Sequence, residues 1–129
     1  MFENTKAYSG FAVSDLEKAR AFYGETLGLK TSVEYGLLTL HIAGDRGTLV
    51  YEKQDLEPAN YTILNFPVDD IDAAVDGLAE RGVQFERYEG FNQDDKGVFR
   101  DEGPHIAWFK DPAGNILSVL QERPAGSND

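Results

Sequence analysis

The stretch FAVSDLEKARAFYGETLGL, residues 11–29, is answered later in the chain by FPVDDIDAAVDGLAERGVQF, residues 66–85. A shift of 55 positions sets Phe11 on Phe66, Val13 on Val68, Asp15 on Asp70, Leu16 on Ile71 and Ala19 on Ala74. After a one-residue gap Gly28 meets Gly82. Each stretch reads as the end of a strand followed by a helix. Ser14 or Asp15 caps the first helix and Asp69 or Asp70 the second, because a short oxygen-bearing side chain accepts from the orphan N–H groups of the first turn. Leu16, Ala19, Phe22 and Tyr23 recur at helical spacing in one, as do Ile71, Ala74, Val75 and Leu78 in the other. Gly28 and Gly82 stand where C-terminal caps belong.

Working outward, KAYSGFAVS (6–14) precedes the first helix as a strand. LKTSVEY (29–35), LLTLHIA (37–43) and TLVYEK (48–53) follow it, divided by Gly36 and the GDRG turn. QDLEPAN (54–60) is a polar loop. YTILNFPVD (61–69) then restarts the pattern. VQFERYEGF (83–91), PHIAWFKD (104–111) and ILSVLQE (116–122) are the strands after the second helix, with DPAGN as the last turn. The order is βαβββ twice, and the repeat is an architectural signal. One such module has an apolar sheet and a single helix and cannot bury both faces of the sheet. The reading is therefore one α+β domain over 1–129, with module one at about 6–53 and module two at about 61–122.

Composition limits the functions available. The 129 residues carry 41% hydrophobic side chains, 8 Phe, 6 Tyr and 1 Trp, a globular composition. The net charge of -11 repels nucleic-acid phosphates and anionic membranes, so neither is an expected partner. The absence of cysteine excludes disulfides, thiolate metal sites and a cysteine nucleophile. MFENTKAYSG has no apolar run of the signal-peptide kind, and a cytoplasmic location is the expectation. The tail RPAGSND (123–129) is expected to fray. No GxSxG, Walker A or GxGxxG pattern occurs. The acids of DDIDAAVD lack the spacing and central glycine of a calcium loop.

Three segments, FAVSDLEKARAFYGETLGL, FPVDDIDAAVDGLAERGVQF and AWFKDPAGNILSVLQ (107–121), together resemble the vicinal oxygen chelate superfamily, which includes glyoxalase I, bleomycin-resistance proteins and extradiol dioxygenases. The resemblance runs from about Lys6 to Glu122. It implies two βαβββ modules forming a curved, incompletely closed mixed sheet around a cavity, and pairing as a homodimer. In metal-dependent members it implies four His, Gln or Glu ligands that leave open positions for vicinal substrate oxygens. The enzymatic expectation it carries is a lyase of the lactoylglutathione-lyase kind or a dioxygenase.

Carried onto this chain, those ligand positions fall on Tyr8, seven before Asp15; on Ile63, five before Val68; on Ser118, four after Gly114; and around Val50, within one or two positions. Val and Ile have no donor atom, and a tyrosine with a pKa near ~10 is a poor ligand at neutral pH. The candidates for displaced ligands are His41, Glu52, His105 and Glu122, with Glu52 on the strand face of Val50 and His41 either on that of Leu37 and Thr39 or near its edge.

Two functional readings follow. The first is a small, possibly aromatic molecule bound in the cavity without a metal or other cofactor. Tyr8, Asn65 and Ser118 would orient it by hydrogen bonds, Tyr51 and Trp108 would stack on it, and Val50 and Ile63 would line the site. Arg100 is available to an anionic ligand. The second reading is a divalent-metal lyase, isomerase or dioxygenase using the displaced ligands. The segment EGFNQDDKGVFRDEG (89–103) is long for a hairpin and reads either as a lid or as a solvated loop.

Overall fold

A computed structural model describes residues 1–43 and 46–122. The first half of the GDRG turn and the RPAGSND tail lie outside them. The chain divides into two compact units, Met1–Pro58 and Ala59–Asp129. The division falls within the polar loop that separates the two repeats.

In the first unit, β1 (Gly10–Val13), β2 (Lys30–Glu34), β3 (Leu37–His41) and β4 (Thr48–Glu52) form a mixed sheet of order β1-β4-β3-β2. β1 runs parallel to β4, and the other pairs are antiparallel. Helix α1 (Leu16–Ala21) starts at Asp15, whose side chain accepts from the Lys18 N–H at 3.1 Å. It passes into a π-helical turn over Phe22–Thr26. Gly28, at φ 77°, reverses the chain into β2. Tyr35 and Gly36, at φ 54° and 75°, make the β2–β3 turn with both central residues left-handed, which matches the twist of a hairpin.

Register settles which side of this sheet the helix covers. Phe11, Val50, Leu38 and Val33 line up across the four strands and share one face. The Phe11 ring lies 5.8 Å from that of Tyr23, on the helical segment. This is therefore the helix face, with Val13, Leu38, Leu40 and Val50 fully buried in its core. The opposite face carries Gly10, Leu49, Thr39 and Ser32 in one row and Tyr51 beside Ala12 in the next.

In the second unit, β5 (Thr62–Pro67), β6 (His105–Lys110) and β7 (Ile116–Gln121) form a sheet of order β5-β7-β6, again with the first strand parallel to the last. Helix α2 (Ile71–Glu80) is capped by Asp70, which accepts from the Ala73 N–H at 3.1 Å. Phe66, Val119 and Ala107 form one cross-strand row, and Leu64, Leu117 and Phe109 the next. Ile71 and Val75 of α2 are buried with this apolar face. Neither sheet closes into a barrel, and the α+β class holds. No helix among the described residues is long and apolar enough to cross a membrane.

The two helices are fastened to their sheets by the same device. The Leu16 N–H donates to Glu52 Oε1 at 3.0 Å, from the end of β4. The Ile71 N–H donates to Gln121 Oε1 at 3.0 Å, from the end of β7. A side chain at the end of the last strand thus satisfies an orphan donor at the start of the helix.

Two sequence expectations are corrected. The first strand spans only Gly10–Val13, so Tyr8 precedes it. VQFERYEGF does not form a strand: only Phe85 pairs with β6, at Phe109, and the Glu86 N–H donates to the Trp108 carbonyl at 2.7 Å. The chain then turns at Tyr88–Phe91, and Phe99 returns to pair with Ile106. Two fragments share the outer edge of β6. The Gln93 side chain supplies the missing bonds, accepting from the Tyr88 N–H at 2.8 Å and donating to the carbonyls of Glu86 and Gly97 at 2.9 and 2.8 Å.

Candidate functional site

Trp108, Ser118 and Asn65 stand directly opposite one another across β6, β7 and β5, on the face turned away from α2. Ser118 is completely buried, and its hydroxyl donates to Asn65 Oδ1 at 2.5 Å. Asn65 itself is exposed. Beyond Trp108 the row ends in a cluster of rings. Tyr88, Phe91 and Phe99 lie 5.4, 5.5 and 6.4 Å from the indole between ring centroids, and Phe91 and Phe99 lie 5.1 Å apart. Tyr88 meets Trp108 edge-on, a favourable arrangement of ring quadrupoles. Burial, followed by the neighbouring Glu86 carboxylate, pushes the Tyr88 phenol above its usual range. Phe91 remains 48% exposed, so the cluster reaches the surface.

The segment over 89–103 is neither plain nor detached. Its two phenylalanines pack on Trp108, and its charges anchor it to α2. Arg100 donates to Asp72 Oδ1 at 2.8 Å and to Asp94 Oδ2 at 3.1 Å, and lies 3.2 Å from His105 Nδ1. Lys96 pairs with Asp76 at 3.0 Å. Partial burial pushes the Asp94 carboxyl up, but the N–H of Val98, the Arg100 guanidinium and the N–H of Lys96 outweigh it and hold the group below its ordinary value. Arg100 is thus committed to carboxylates and to the helix side of the sheet, not offered to an anionic ligand.

Tyr8 lines a cavity of about 460 Å³ in the first unit, with Lys6, Ser9, Arg46 and Thr48. The Arg46 guanidinium sits 4.5 Å over the Tyr8 ring. On the sheet itself, Val50 belongs to the helix face and is fully buried, so it lines no ligand surface. The counting error is one residue, and in a strand one residue exchanges the faces. Tyr51 is on the uncovered face and is 42% exposed. Ile63 falls where the β5 register slips between Thr62 and Leu64.

The chemistry of the donors decides whether a divalent metal fits. Tyr8, Ile63 and Ser118 offer one phenol and one hydroxyl, and the Ser118 proton is already given to Asn65. Leu49 and Tyr51, the neighbours of Val50 on the uncovered face, offer only another phenol. Glu52 lies on the helix face and caps α1. His41 does share a face with Leu37 and Thr39, and its Nε2 is 2.7 Å from Ser32 Oγ. His105 stands opposite Gln121, on the α2 side, beside Arg100. Glu122 is exposed just past β7. Among the described residues no three or more His, Cys, Asp or Glu side chains gather to hold a metal ion. These residues do not fit a four-ligand divalent site.

Sequence reasoning missed Tyr88, Phe91, Phe99, Gln93 and Arg46. The available signal was two phenylalanines within an otherwise polar, glycine-punctuated segment.

Solved structures similar to this chain share its fold. An antibiotic binding protein, TnmS3, from Streptomyces sp. CB03234 superposes with a TM-score of 0.67 at 24% identity, over 93% of this chain and 98% of that one. The glyoxalase family protein from Enterococcus faecalis gives 0.67 at 22%, over 93% and 99%. The genomically encoded fosfomycin resistance protein FosX from Listeria monocytogenes gives 0.70 at 16%, over 95% and 96%. No curated protein matches the chain. The repeated strand–helix–strand units, the matched helix caps and a family-wide sequence match over residues 7–119 agree: the chain belongs to the Glyoxalase/Bleomycin resistance protein/Dioxygenase superfamily.

Proposed function

We propose that this protein binds a small aromatic molecule, without a metal, on the face of its second sheet turned away from α2. The observation that carries the reading is the row Asn65–Ser118–Trp108 ending in a four-ring cluster that reaches the surface at Phe91. Rings supply dispersion and stacking, and an exposed amide beside them supplies a hydrogen bond; this is the composition of a small-molecule site. Support from relatives is coarser: TnmS3 is an antibiotic binding protein and FosX a fosfomycin resistance protein. The metal-free part rests on the donor chemistry at the family's ligand positions.

The chain has a single tryptophan, and it stands in this row, so its emission reports the site directly. Titration with a panel of neutral aromatic compounds in the presence of EDTA is expected to change Trp108 emission saturably, and Phe91→Ala to weaken that binding. Emission that no compound changes saturably, or binding that requires an added divalent ion, refutes the reading.

The same proposal takes the two units as one cytoplasmic glyoxalase-like domain that pairs with a second copy. Pairing is supported by the apolar groups the first sheet exposes on its uncovered face, Leu37 at 39% and Tyr51 at 42%. Light scattering that returns only the monomer mass of 14.3 kDa at micromolar concentration refutes the pairing.

A further inference from the structure

Ser118 is fully buried, and its one proton goes to Asn65 Oδ1. In that bond the amide oxygen turns inward toward β7 and the amide nitrogen turns outward. Asn65 is exposed, and its two N–H donors have no protein acceptor among the described residues. Strands in a sheet lie roughly 4.8 Å apart, so Asn65 and Trp108, two strands distant, are about 10 Å apart at their backbones. A planar molecule lying against the indole spans that interval.

Charge narrows the acceptor. Arg100 and Lys96 are turned to Asp72, Asp76 and Asp94 on the other side of the sheet. Lys110 shares the face of Trp108, but its Nζ stands 3.6 Å from Glu86. Arg87, on the same segment as Glu86, donates to the Asp95 carbonyl at 2.7 Å, and the chain as a whole is at -11. A carboxylate ligand would enter a field of its own sign.

We infer that the site selects neutral aromatic compounds bearing a carbonyl-type acceptor, with Asn65 as the donor and Ser118 as the positioning residue that holds the amide donor-outward. The inference rests on the aromatic-site reading above and goes beyond it by naming the group that is recognised. Ser118, closed to solvent, acts only through Asn65.

The test uses acetophenone and α-methylstyrene, planar isosteres that differ by a carbonyl oxygen, with benzoate as the anionic probe. Affinities come from Trp108 emission, and the side-chain amide signals of Asn65 are followed by 15N NMR. The acetophenone to α-methylstyrene affinity ratio is expected to fall roughly three- to tenfold in Asn65→Asp, which keeps an acceptor for Ser118 and removes both donors. In the wild type only acetophenone shifts the Asn65 amide signals downfield; in Ser118→Ala that shift shrinks while Trp108 still reports binding. If both neutral probes bind and the ratio is the same in wild type and Asn65→Asp, this inference fails and the aromatic-site reading stands. If neither binds, both fail. Benzoate binding as tightly as acetophenone overturns the choice of a neutral ligand.

Discussion

Gln93 is the residue whose replacement tests most directly how the ring cluster is built. Its side chain takes the place of a strand, with Oε1 serving the Tyr88 N–H and Nε2 serving the carbonyls of Glu86 and Gly97. The residue is only partly exposed, so water does not fully replace these bonds. At about 1 kcal/mol net for each of three bonds, Gln93→Leu is expected to cost roughly 3 kcal/mol. For a domain of this length that corresponds to a fall of about 10 °C in Tm. Gln93→Glu is nearly isosteric, yet it is expected to be at least as harmful. It keeps an acceptor for Tyr88 but sets carboxylate oxygens against two carbonyls, an unpaired charge in a partly dry site. Gln84, exposed on the neighbouring segment, is the control, and Gln84→Leu should stay within about 0.5 kcal/mol of wild type. Urea unfolding followed by circular dichroism gives the stabilities, and Trp108 emission in the folded baseline reports whether Tyr88 and Phe91 still cover the indole. A Gln93→Glu protein within about 0.5 kcal/mol of wild type, with unshifted emission, would show that the rings hold the segment without the amide.

Three further outcomes follow from the geometry. Val50→Ala should cost roughly 2 kcal/mol because Val50 is sealed under α1, while Tyr51→Ala, one residue on and 42% exposed, should cost far less; equal losses in urea unfolding would contradict the face assignment. Glu52→Ala and Gln121→Ala should each cost about 1 kcal/mol, with faster amide exchange at Leu16 and Ile71 respectively, and exchange unchanged at either amide would deny the capping role. The Asp94 carboxyl is held below its ordinary value of 3.8, so its contribution is present above that pH and is lost as pH falls through the depressed folded value. Trp108 emission in the wild type should therefore change as pH falls below about 4, with a midpoint absent from Asp94→Asn, and an identical midpoint in both would remove Asp94 from the account.

Most of the fold was legible because its signals are local. The alternation before Asp15 and Asp70, the helical spacing after them and the glycines at 28, 36 and 82 each act within a few residues. What was not legible depends on contacts between distant residues. VQFERYEGF has the alternation of a strand, but the edge of β6 is divided between Phe85 and Phe99, and a glutamine eight residues beyond Phe85 takes up the backbone bonds. Nothing in the local pattern distinguishes a glutamine that bonds solvent from one that bonds three backbone groups. The pairing of Ser118 with Asn65 is of the same kind, since it joins positions 53 apart. Each residue was recognisable as a polar intruder in an apolar strand, and each turned out to be part of the other's explanation. Arg100 was misread for the converse reason: a lone arginine in a loop looks free until Asp72, on a helix 28 positions earlier, is brought to it.

The misplacement of Val50 has a different origin, and the repeat itself supplies the remedy. Glu52 and Gln121 each accept from the first helical N–H of their own unit, so each must lie on the helix face of its sheet. Side chains alternate along a strand, so positions at odd offsets from these two face away from the helix. Ser118 is three before Gln121 and faces away. The matching position, three before Glu52, is Leu49, not Val50, and the register of β4 places Leu49 on that uncovered face beside Gly10 and Thr39. The repeat also sets Tyr8 against Ile63. The four matched positions are then Tyr8, Leu49, Ile63 and Ser118, which offer the same two donors, one phenol and one hydroxyl, as the set with Val50. Correcting the face therefore moves one residue out of the proposed site and leaves the donor chemistry, on which the metal-free reading rests, unchanged.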